Sequence, residues 1–343
     1  MKETHKQKGI TLVALVITII ILLILAGITI SSLTQTSLFG KANEAKEKTE
    51  EAKLRENTLL NEYAEGIDEI VGASGGQGSA ESSTSTTHTP TNLTATYTWD
   101  EIADMAKVIS NTNSINEDTL EVNVILNNET YTLGVGDTAT VDTKTVRILG
   151  FNHDTLATPT AYGTTTATGK AGISFEYVDV ITDNSGMNDS DTNSGGWGSC
   201  KLRTTLNGTV YNSLSIKNKI KEVQKEYIST YNDASSKTTC SDKLWLLSCG
   251  EIWDNGYGEG ETRGYAIATE GSQYKYYKTT LGSTSYSYST DITKKPNVSN
   301  SSAWRLRSPN FDFDSYFCLV SSDGSSSGYY ASHSYMVAPG FSI

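Results

Sequence analysis

The sequence predicts an α+β protein with an N-terminal transmembrane helix, a flexible linker and a C-terminal head of strands and helices. Three observations lead to this prediction. An uncharged apolar run extends from Ile10 to Ile30, and a Gly/Ser/Thr-rich stretch occupies residues 72–94. Beyond that stretch, short runs of alternating apolar and polar residues, typical of strands, are interspersed with segments of helical periodicity.

The composition excludes some classes of partner and site. The chain has 343 residues, a formal net charge of −12, and 19 Tyr but only 7 Phe. An acidic chain argues against nucleic acid as a partner, because binding phosphates needs a basic surface. The four cysteines form no CxxC pair, so neither a zinc site nor a redox motif is predicted. A disulfide among Cys200, Cys240, Cys249 and Cys318 and free buried thiols both remain open.

The N-terminal segment has the features of a membrane anchor. Three lysines precede Gly9, and the apolar run from Ile10 to Ile30 would span about 30 Å as a helix, enough to cross the hydrocarbon core. The basic flank favours a cytoplasmic N-terminus and an extracellular head. After this run the chain is predicted to stay helical to residue 71, because small and apolar residues recur at three-, four- and seven-residue steps between Glu and Lys.

The sequence KGITLVAL around Gly9 resembles the type IV prepilin signal, in which a dedicated prepilin peptidase cuts after the glycine. The resemblance implies a leader at residues 1–9, processing between Gly9 and Ile10, and a pilin-like transmembrane and stalk helix at residues 10–71. Two positions depart from the family: Ile10 replaces the usual Phe, and Ala14 replaces the usual Glu. That Glu is thought to pair with a neighbouring subunit's N-terminus, so its absence favours a minor or pilin-like role. A simple signal anchor is the alternative.

The linker and the head follow. Residues 72–94 contain hardly any large apolar side chains, which predicts a flexible tether before the head at residues 95–343. The head begins with a short helix, with Thr98 as N-cap and Glu101 three residues later. Alternation predicts strands at residues 120–126, 131–135, 138–141, 145–151 and 173–181. Helices are predicted at residues 197–206 and 215–231.

The acidic loop at residues 183–196 has some features of a calcium site. Asp189, Asp191 and Asn193 occupy the first, third and fifth positions of an EF-hand-like loop. The glycine comes one place late, at Gly195, and Cys200 stands where the bidentate Glu is needed. A solvated turn is therefore favoured, and no metal and no cofactor are predicted.

The C-terminal stretch has an unusual composition. Between Trp304 and Arg307 the chain is predicted to form a buried strand, and residues 310–335 then lack Lys, Arg, Glu, Gln, Trp and Met. Ser, Tyr, Asp, Phe, Gly and Asn dominate there, which is typical of recognition surfaces that combine rigid aromatic rings with small polar groups. The alternative is a Ser/Tyr-rich surface loop without a special role.

A second resemblance rests on GGWGSCKLRTTLN (195–207), KLWLLSCGEIW (243–253), WRLRSP (304–309) and VAPGFSI (337–343). These segments resemble a bacterial C-type-lectin-like domain. That group includes formylglycine-generating-enzyme-like folds and the variable proteins of diversity-generating retroelements. The resemblance covers roughly residues 120–343 and implies a mixed sheet with two flanking helices that holds a long loop region.

In the retroelement group, reverse transcription randomises template adenines in the C-terminal coding segment, which yields the residue alphabet seen at 310–335. By this resemblance Val320, Gly324 and Ala331 are expected to be structural. The expected ligand-binding residues are Phe311, Asp312, Asp314, Tyr316, Ser325, Ser326, Tyr329, Tyr330, Ser332, His333 and Tyr335.

The expected function is that of a cell-surface or pilus-displayed, adhesin- or receptor-like protein that binds an unknown protein or glycan. Other pilins are possible partners. A structural minor pilin and a formylglycine-generating-type enzyme are the alternatives. The latter needs a pair of cysteines in the active cleft, and only Cys318 lies in the variable segment. Ser-His-Asp hydrolysis would have to use His153 or His333, neither in a recognisable motif, so no enzymatic activity is expected.

Overall fold

The computed structural model describes residues 78–82, 88–253, 270–282 and 303–343. These residues belong to one compact unit, Gly76–Ile343. The predicted leader and the predicted transmembrane and stalk helix at residues 1–71 lie outside the described residues. Within the described ranges, no helix is both long enough and apolar enough to cross a membrane.

The described residues form fourteen strands in four sheets. The strands are β1 (Ser79–Ser82), β2 (Glu121–Leu126), β3 (Glu129–Gly134), β4 (Thr138–Val141), β5 (Lys144–Phe151), β6 (Ile173–Tyr177), β7 (Thr182–Ser185), β8 (Val223–Ile228), β9 (Lys237–Asp242), β10 (Trp304–Pro309), β11 (Tyr316–Val320), β12 (Ser326–Tyr330), β13 (Tyr335–Val337) and β14 (Gly340–Ser342).

The helices are short. The α-helices are α1 (Trp99–Ser110), α2 (Lys201–Thr205), α3 (Tyr211–Ser213) and α4 (Cys249–Trp253). A π-helical turn at Leu206–Val210 joins α2 to α3, and a second one lies at Tyr276–Thr280. Single 3₁₀ turns lie at Leu93–Ala95, Trp197–Ser199 and Ala234–Ser236.

The predicted fold class is wrong for the part of the chain that the structure describes. A C-type-lectin-like α+β head with one mixed sheet and two flanking helices was expected. Instead four sheets account for most of the regular structure, and α1 is the one described α-helix longer than five residues. The second expected helix, at residues 215–231, is a turn followed by strand β8.

The error at residues 215–231 has a physical cause. Ile216, Ile220 and Val223 are buried, as the helical spacing predicted. Lys225 is buried as well, because β8 pairs along its whole length with β9 and directs this side chain toward carboxylates distant in sequence. These tertiary contacts outweigh the local helical pattern.

Part of the predicted linker belongs to the head. Strand β1 pairs with β2 at the edge of the sheet β1-β2-β3. His88 Nδ1 lies 2.7 Å from Glu121 Oε2, and its Nε2 lies 2.8 Å from Asp137 Oδ1. Leu93 is buried in the core. Backbone pairing at residues 79–82 and the two carboxylate contacts of His88 thus hold these parts of the predicted linker against the head.

Helix α1 and the following hairpin confirm their local predictions. Thr98 Oγ1 accepts a hydrogen bond from the Glu101 amide, and the Glu101 carboxylate accepts one from the Thr98 amide, which completes the capping box. Asn127 and Asn128 have φ angles of 52° and 64°, as a two-residue turn of type I′ between β2 and β3 requires.

The four-stranded sheet β14-β6-β5-β4 forms the centre of the core. All five residues of β6 are buried, and Phe175 stacks on Phe341 of β14 with ring centroids 5.3 Å apart. A Cβ at Gly340 would lie 2.9 Å from the Trp245 indole nitrogen, so the close approach of these segments requires glycine there. The C-terminal strand is thereby fixed in the core.

The five-stranded sheet β12-β11-β10-β13-β7 carries the C-terminal stretch. Strand β10 is buried at every position and lies between β11, to which it is antiparallel, and β13, to which it is parallel. The buried strand predicted from Trp304 is therefore confirmed. Its position places the composition-biased residues on both sides of a buried strand.

Candidate functional site

Six aromatic side chains meet at one end of the five-stranded sheet, and we call them the aromatic face. Its members are Phe313, Tyr316, Tyr329, Tyr330, His333 and Tyr335, with neighbouring ring centroids between 4.5 and 6.1 Å apart. Phe313, Tyr329 and Tyr330 are 51%, 38% and 37% exposed. Large rings at this exposure, packed on one another rather than into the core, are available for contact with another molecule.

The strand register explains the clustering. Tyr316 at the start of β11 lies directly opposite Tyr330 at the end of β12, and their rings are 4.5 Å apart. A hydrogen bond with Tyr330 raises the pKa of Tyr316 to about 12, so its hydroxyl stays protonated and neutral near pH 7. Tyr335 opens β13, on the other side of β10, and its ring lies 5.5 Å from that of Tyr329.

Arg305 of β10 holds the backbone beneath the aromatic face. Its Nη2 donates to the carbonyls of Tyr330 and His333 at 2.6 and 2.8 Å. Its Nη1 donates to the carbonyls of Tyr329 and Phe317 at 3.2 and 3.4 Å. The side chain is fully buried, and this burial lowers the pKa of Arg305 to about 10, so the guanidinium still carries its charge at neutral pH. These hydrogen bonds do not depend on which side chains the contacted residues carry.

Two asparagines hold the Phe313 loop in the same way. Asn193 Nδ2 donates to the carbonyls of Phe313 and Tyr316, both at 2.8 Å. Asn310 Oδ1 accepts from the amides of Asp312 and Phe313 at 3.0 and 3.1 Å. Since Asn310 is buried, it acts as a structural residue although it opens the predicted variable segment.

We call Arg305, Asn193 and Asn310, which hold the backbone beneath the aromatic face, the frame. The acidic loop that resembles a calcium site contacts the same backbone. Asp189 forms an ion pair with Lys201, and Asp191 Oδ1 accepts from the Ser332 amide at 3.0 Å. Hydrogen bonds from Ser332 lower the pKa of Asp191, so this carboxylate stays ionised. The three side chains that resembled calcium ligands therefore have separate partners. Among the described residues, no group of three or more His, Cys, Asp or Glu could hold a metal ion.

The predicted site residues fall into two groups. Tyr316, Tyr329, Tyr330, His333 and Tyr335 form the aromatic face, with Phe311, Asp312 and Asp314 exposed on the preceding loop and Ser332 next to His333. Ser325 and Ser326 lie instead at the turn end of the β11–β12 hairpin, and Ser326 is four residues, or about 13 Å along β12, from Tyr330. Ser326 is only 8% exposed, so it is a buried position and not part of the binding surface.

Phe313 was missed, although its ring is 51% exposed and belongs to the aromatic face. Its place within the run Phe311-Asp312-Phe313-Asp314 was a usable signal, because the alternation of Phe and Asp marks the whole run as one loop. Val320 and Ala331 are fully buried and Gly324 has a φ angle of 87°, which confirms that these three positions are structural.

Comparison with known protein families adds one finding. Residues 169–343, just over half of the chain, match the family described as Domain of unknown function (DUF6273). The chain belongs to the DUF6273 family. No curated protein and no solved structure matches it. The matched range includes the whole aromatic face together with Arg305 and Asn193, so these elements all lie within the DUF6273 domain.

The DUF6273 domain also contains a buried network of charges. Lys225 Nζ lies 2.7 Å from Asp154 Oδ1 and 2.6 Å from Glu251 Oε1, and Arg307 Nη1 and Nη2 lie 2.5 and 2.9 Å from the Glu251 carboxylate. Burial alone would raise the pKa of Glu251, but Arg307 and Lys225 lower it. Asp154 lies N-terminal to the matched range, so the network joins the family domain to the segment that follows β5.

A polar cavity of about 180 Å³ borders this network. In it Ser272 Oγ lies 3.1 Å from His153 Nε2, and His153 Nδ1 lies 3.4 Å from Asp154 Oδ1. The neighbouring groups have further partners. The Asp154 carboxylate is already bound to Lys225, and the Gly271 amide donates to the Glu226 carboxylate. The lining of the cavity thus carries three carboxylates, of Asp154, Glu226 and Glu251, and one ammonium group, of Lys225.

The cysteines include a pair that the sequence did not reveal. All four are free thiols, and the Cys318 thiol forms a hydrogen bond with Cys249. Burial and this contact raise the pKa of Cys318 well above its usual range. Cys249 and Cys318 are both 0% exposed, so the pair lies in the core and not in an open cleft. A thiol in this setting is a weak nucleophile.

Proposed function

We propose that this DUF6273 protein is a surface-displayed, non-enzymatic binding protein, adhesin- or receptor-like, that contacts its ligand through the aromatic face. The observation that carries this proposal is the cluster of exposed rings held from below by Arg305. Exposed tyrosines supply large contact area at low entropic cost, which is how recognition surfaces obtain affinity. The ligand is a protein or a glycan.

The proposal includes exchangeable side chains on the aromatic face. Arg305 and Asn193 hold Phe313, Tyr316, Tyr329 and Tyr330 through backbone carbonyls, so substitution of the side chains keeps those hydrogen bonds. This is what a protein diversified by a retroelement requires. The DNA beside the coding sequence tests it. A near-copy of the 3′ coding end with Asn-type codons at these positions, next to a reverse transcriptase gene, is the expected finding.

We also propose that the apolar run from Ile10 to Ile30 anchors the chain in the membrane, and that the prepilin peptidase removes residues 1–9. The support is the uncharged run and the KGITLVAL motif. Mass spectrometry of the mature protein in its native host tests this proposal. An N-terminus at Ile10 is expected, and an intact Met1 would contradict the processing.

Arrays of glycans and of cell-surface proteins, probed with the full chain, test the binding proposal. Tyr329→Ala should lose the signals that the wild-type chain gives. The matched control is Ile125→Ser, because Ile125 on β2 is 39% exposed, much like Tyr329 at 38%, but lies in a different sheet. Equal signals from wild type and Tyr329→Ala would refute the aromatic face as the binding surface and favour a purely structural pilin subunit.

A further inference from the structure

We propose that the partner that docks on the aromatic face is a lysine- or arginine-rich segment of another protein. This inference rests on the proposed function, because it takes the aromatic face as the binding surface. It goes further by naming the chemistry of the partner. That chemistry follows from the charges around the rings and from the hydrogen bonds that direct the Arg305 guanidinium toward buried carbonyls.

The rim of the aromatic face is acidic. Residues 308–343 contain Asp312, Asp314 and Asp323 but no Lys and no Arg. Asp312 and Asp314 are exposed and flank Phe313, whose ring lies 4.8 Å from that of Tyr316. Asp191 adds a carboxylate at Ser332, and hydrogen bonds from Ser332 lower the pKa of Asp191. Three carboxylates therefore stand beside the rings.

The nearby positive charges do not cancel this rim. Arg305 is 0% exposed and directs its guanidinium at the carbonyls of Tyr330 and His333 beneath the surface. Lys201 is paired with Asp189, so that pair is neutral as a unit. A partner that approaches from solvent thus meets aromatic rings and carboxylates first.

Rings and carboxylates together select for cations. The face of an aromatic ring attracts a lysine ammonium or an arginine guanidinium within about 6 Å of its centroid. The Tyr316 and Tyr330 hydroxyls are hydrogen-bonded to each other, and this contact raises the pKa of Tyr316 to about 12, so the Tyr316 ring stays neutral near pH 7. A neutral glycan can stack on the same rings but gains no charge attraction from the rim. An anionic glycan or a nucleic acid would be repelled.

The test measures dissociation constants of the full chain, in detergent micelles, for defined probes. The probes are octaarginine, octalysine, octaglutamate and a neutral β-linked glucan hexasaccharide. The two basic peptides should bind, more weakly at higher salt, and octaglutamate should not. Asp312→Asn and Asp314→Asn should each weaken octaarginine binding about two- to fivefold. Tyr329→Ala should weaken it about five- to tenfold.

Asp323→Asn is the matched control. Asp323 lies in the same segment, is exposed like Asp312, and its side chain accepts hydrogen bonds only at the β11–β12 turn from Ser325. The Asp323→Asn substitution changes the net charge by the same amount as Asp312→Asn or Asp314→Asn. Its dissociation constant for octaarginine should equal that of the wild type, and thermal unfolding of each variant shows that the fold is retained.

Each other result has a defined meaning. Equal weakening by Asp323→Asn and Asp312→Asn would show attraction by the overall charge of −12 and overturn the inference. Glucan binding that Tyr329→Ala abolishes, without peptide binding, would overturn the cationic partner and leave the proposed function standing. Binding of every probe unchanged by Tyr329→Ala would overturn both.

Discussion

Replacing Arg305 by lysine should loosen the aromatic face while the rest of the head stays folded. The guanidinium reaches four carbonyls through two nitrogens, whereas an ammonium is a single nitrogen with three hydrogens. Because the single nitrogen of lysine cannot occupy the positions of both guanidinium nitrogens, we expect it to keep only one of the two pairs of carbonyls. The longest of the present contacts, to Tyr329 at 3.2 Å and to Phe317 at 3.4 Å, are the ones expected to be lost.

The size of the effect follows from these two hydrogen bonds. A hydrogen bond to a charged donor contributes about 1.5–3 kcal/mol, and long bonds fall at the lower end, so Arg305→Lys should cost about 2–3 kcal/mol. For a domain of this size that corresponds to a fall in melting temperature of about 4–12 °C. Hydrogen exchange should accelerate at the amides of β12 and β13, which flank the contacted carbonyls.

The control is Phe313→Ser. Phe313 is 51% exposed, and its loop is held through backbone atoms by Asn193 and Asn310, so this substitution should cost less than about 1 kcal/mol. Differential scanning fluorimetry and amide hydrogen exchange measure both variants. An unchanged melting temperature and unchanged exchange in Arg305→Lys would refute the idea that this side chain holds the face. An equally large loss in Phe313→Ser would show that the exposed rings, not the frame, supply the stability.

Three further predictions follow from buried groups. Trp304→Ala should lower the free energy of unfolding by about 3–5 kcal/mol in urea titrations, because Trp304 is 0% exposed; a loss below about 1 kcal/mol would contradict this packing. Burial lowers the pKa of His88, but hydrogen bonds to Asp137 and Glu121 outweigh it and raise the pKa above the ordinary 6.5. The stabilisation by His88 is therefore complete below pH 6.5 and is lost as the pH rises through the folded-state pKa, so the pH dependence should be flatter in His88→Gln. The comparison with the variant is needed because burial also raises the pKa of Glu270, to about 7, which acts in the same direction. Iodoacetamide at pH 8 should leave Cys318 unlabelled in the native protein and label it after denaturation, as read by peptide mass spectrometry; rapid native labelling would show an accessible thiol.

The sequence predicted those elements whose signals lie within a few neighbouring residues. The capping box of Thr98 and Glu101 and the Asn127-Asn128 turn each depend on contacts across two or three positions, and both are confirmed. Strand β10 was also predicted, because Trp304 and Leu306 alternate with arginines in the short run before Pro309. In these cases local chemistry and the final fold agree.

Other elements depend on residues far apart in the chain. Lys225 is buried because it forms ion pairs with Asp154 and Glu251, which lie in two other segments of the chain. No pattern in the sequence near Lys225 indicates these partners. The helix predicted around Lys225 is wrong for that reason. The contact of Cys249 with Cys318 and the approach of Ser272 to His153 are equally invisible in the sequence, because each joins separate elements.

The candidate site shows the same division. Composition located the stretch that carries the aromatic face, because residue type alone marks rings and small polar groups. Composition could not distinguish Ser326, which is buried, from Tyr329, which is exposed. Which side chains of β12 are exposed depends on its pairing with β11. Composition also could not show that Asn193, more than a hundred residues upstream, closes the Phe313 loop.

The two arginines of β10 bind different parts of the head, which bears on the proposed exchange of side chains on the aromatic face. Arg307 binds Glu251 and the carbonyls of Glu226 and Leu246, and so ties the strand to the buried network. Arg305 donates to backbone carbonyls beneath the aromatic face, and its guanidinium carbon also lies 4.7 Å from the centroid of the Tyr335 ring. A substitution on that face removes a side chain but leaves every acceptor of Arg305 in place. A substitution there therefore costs the contacts of the lost ring, which at Tyr335 include the contact with the Arg305 guanidinium, while the hydrogen bonds from Arg305 to the backbone remain.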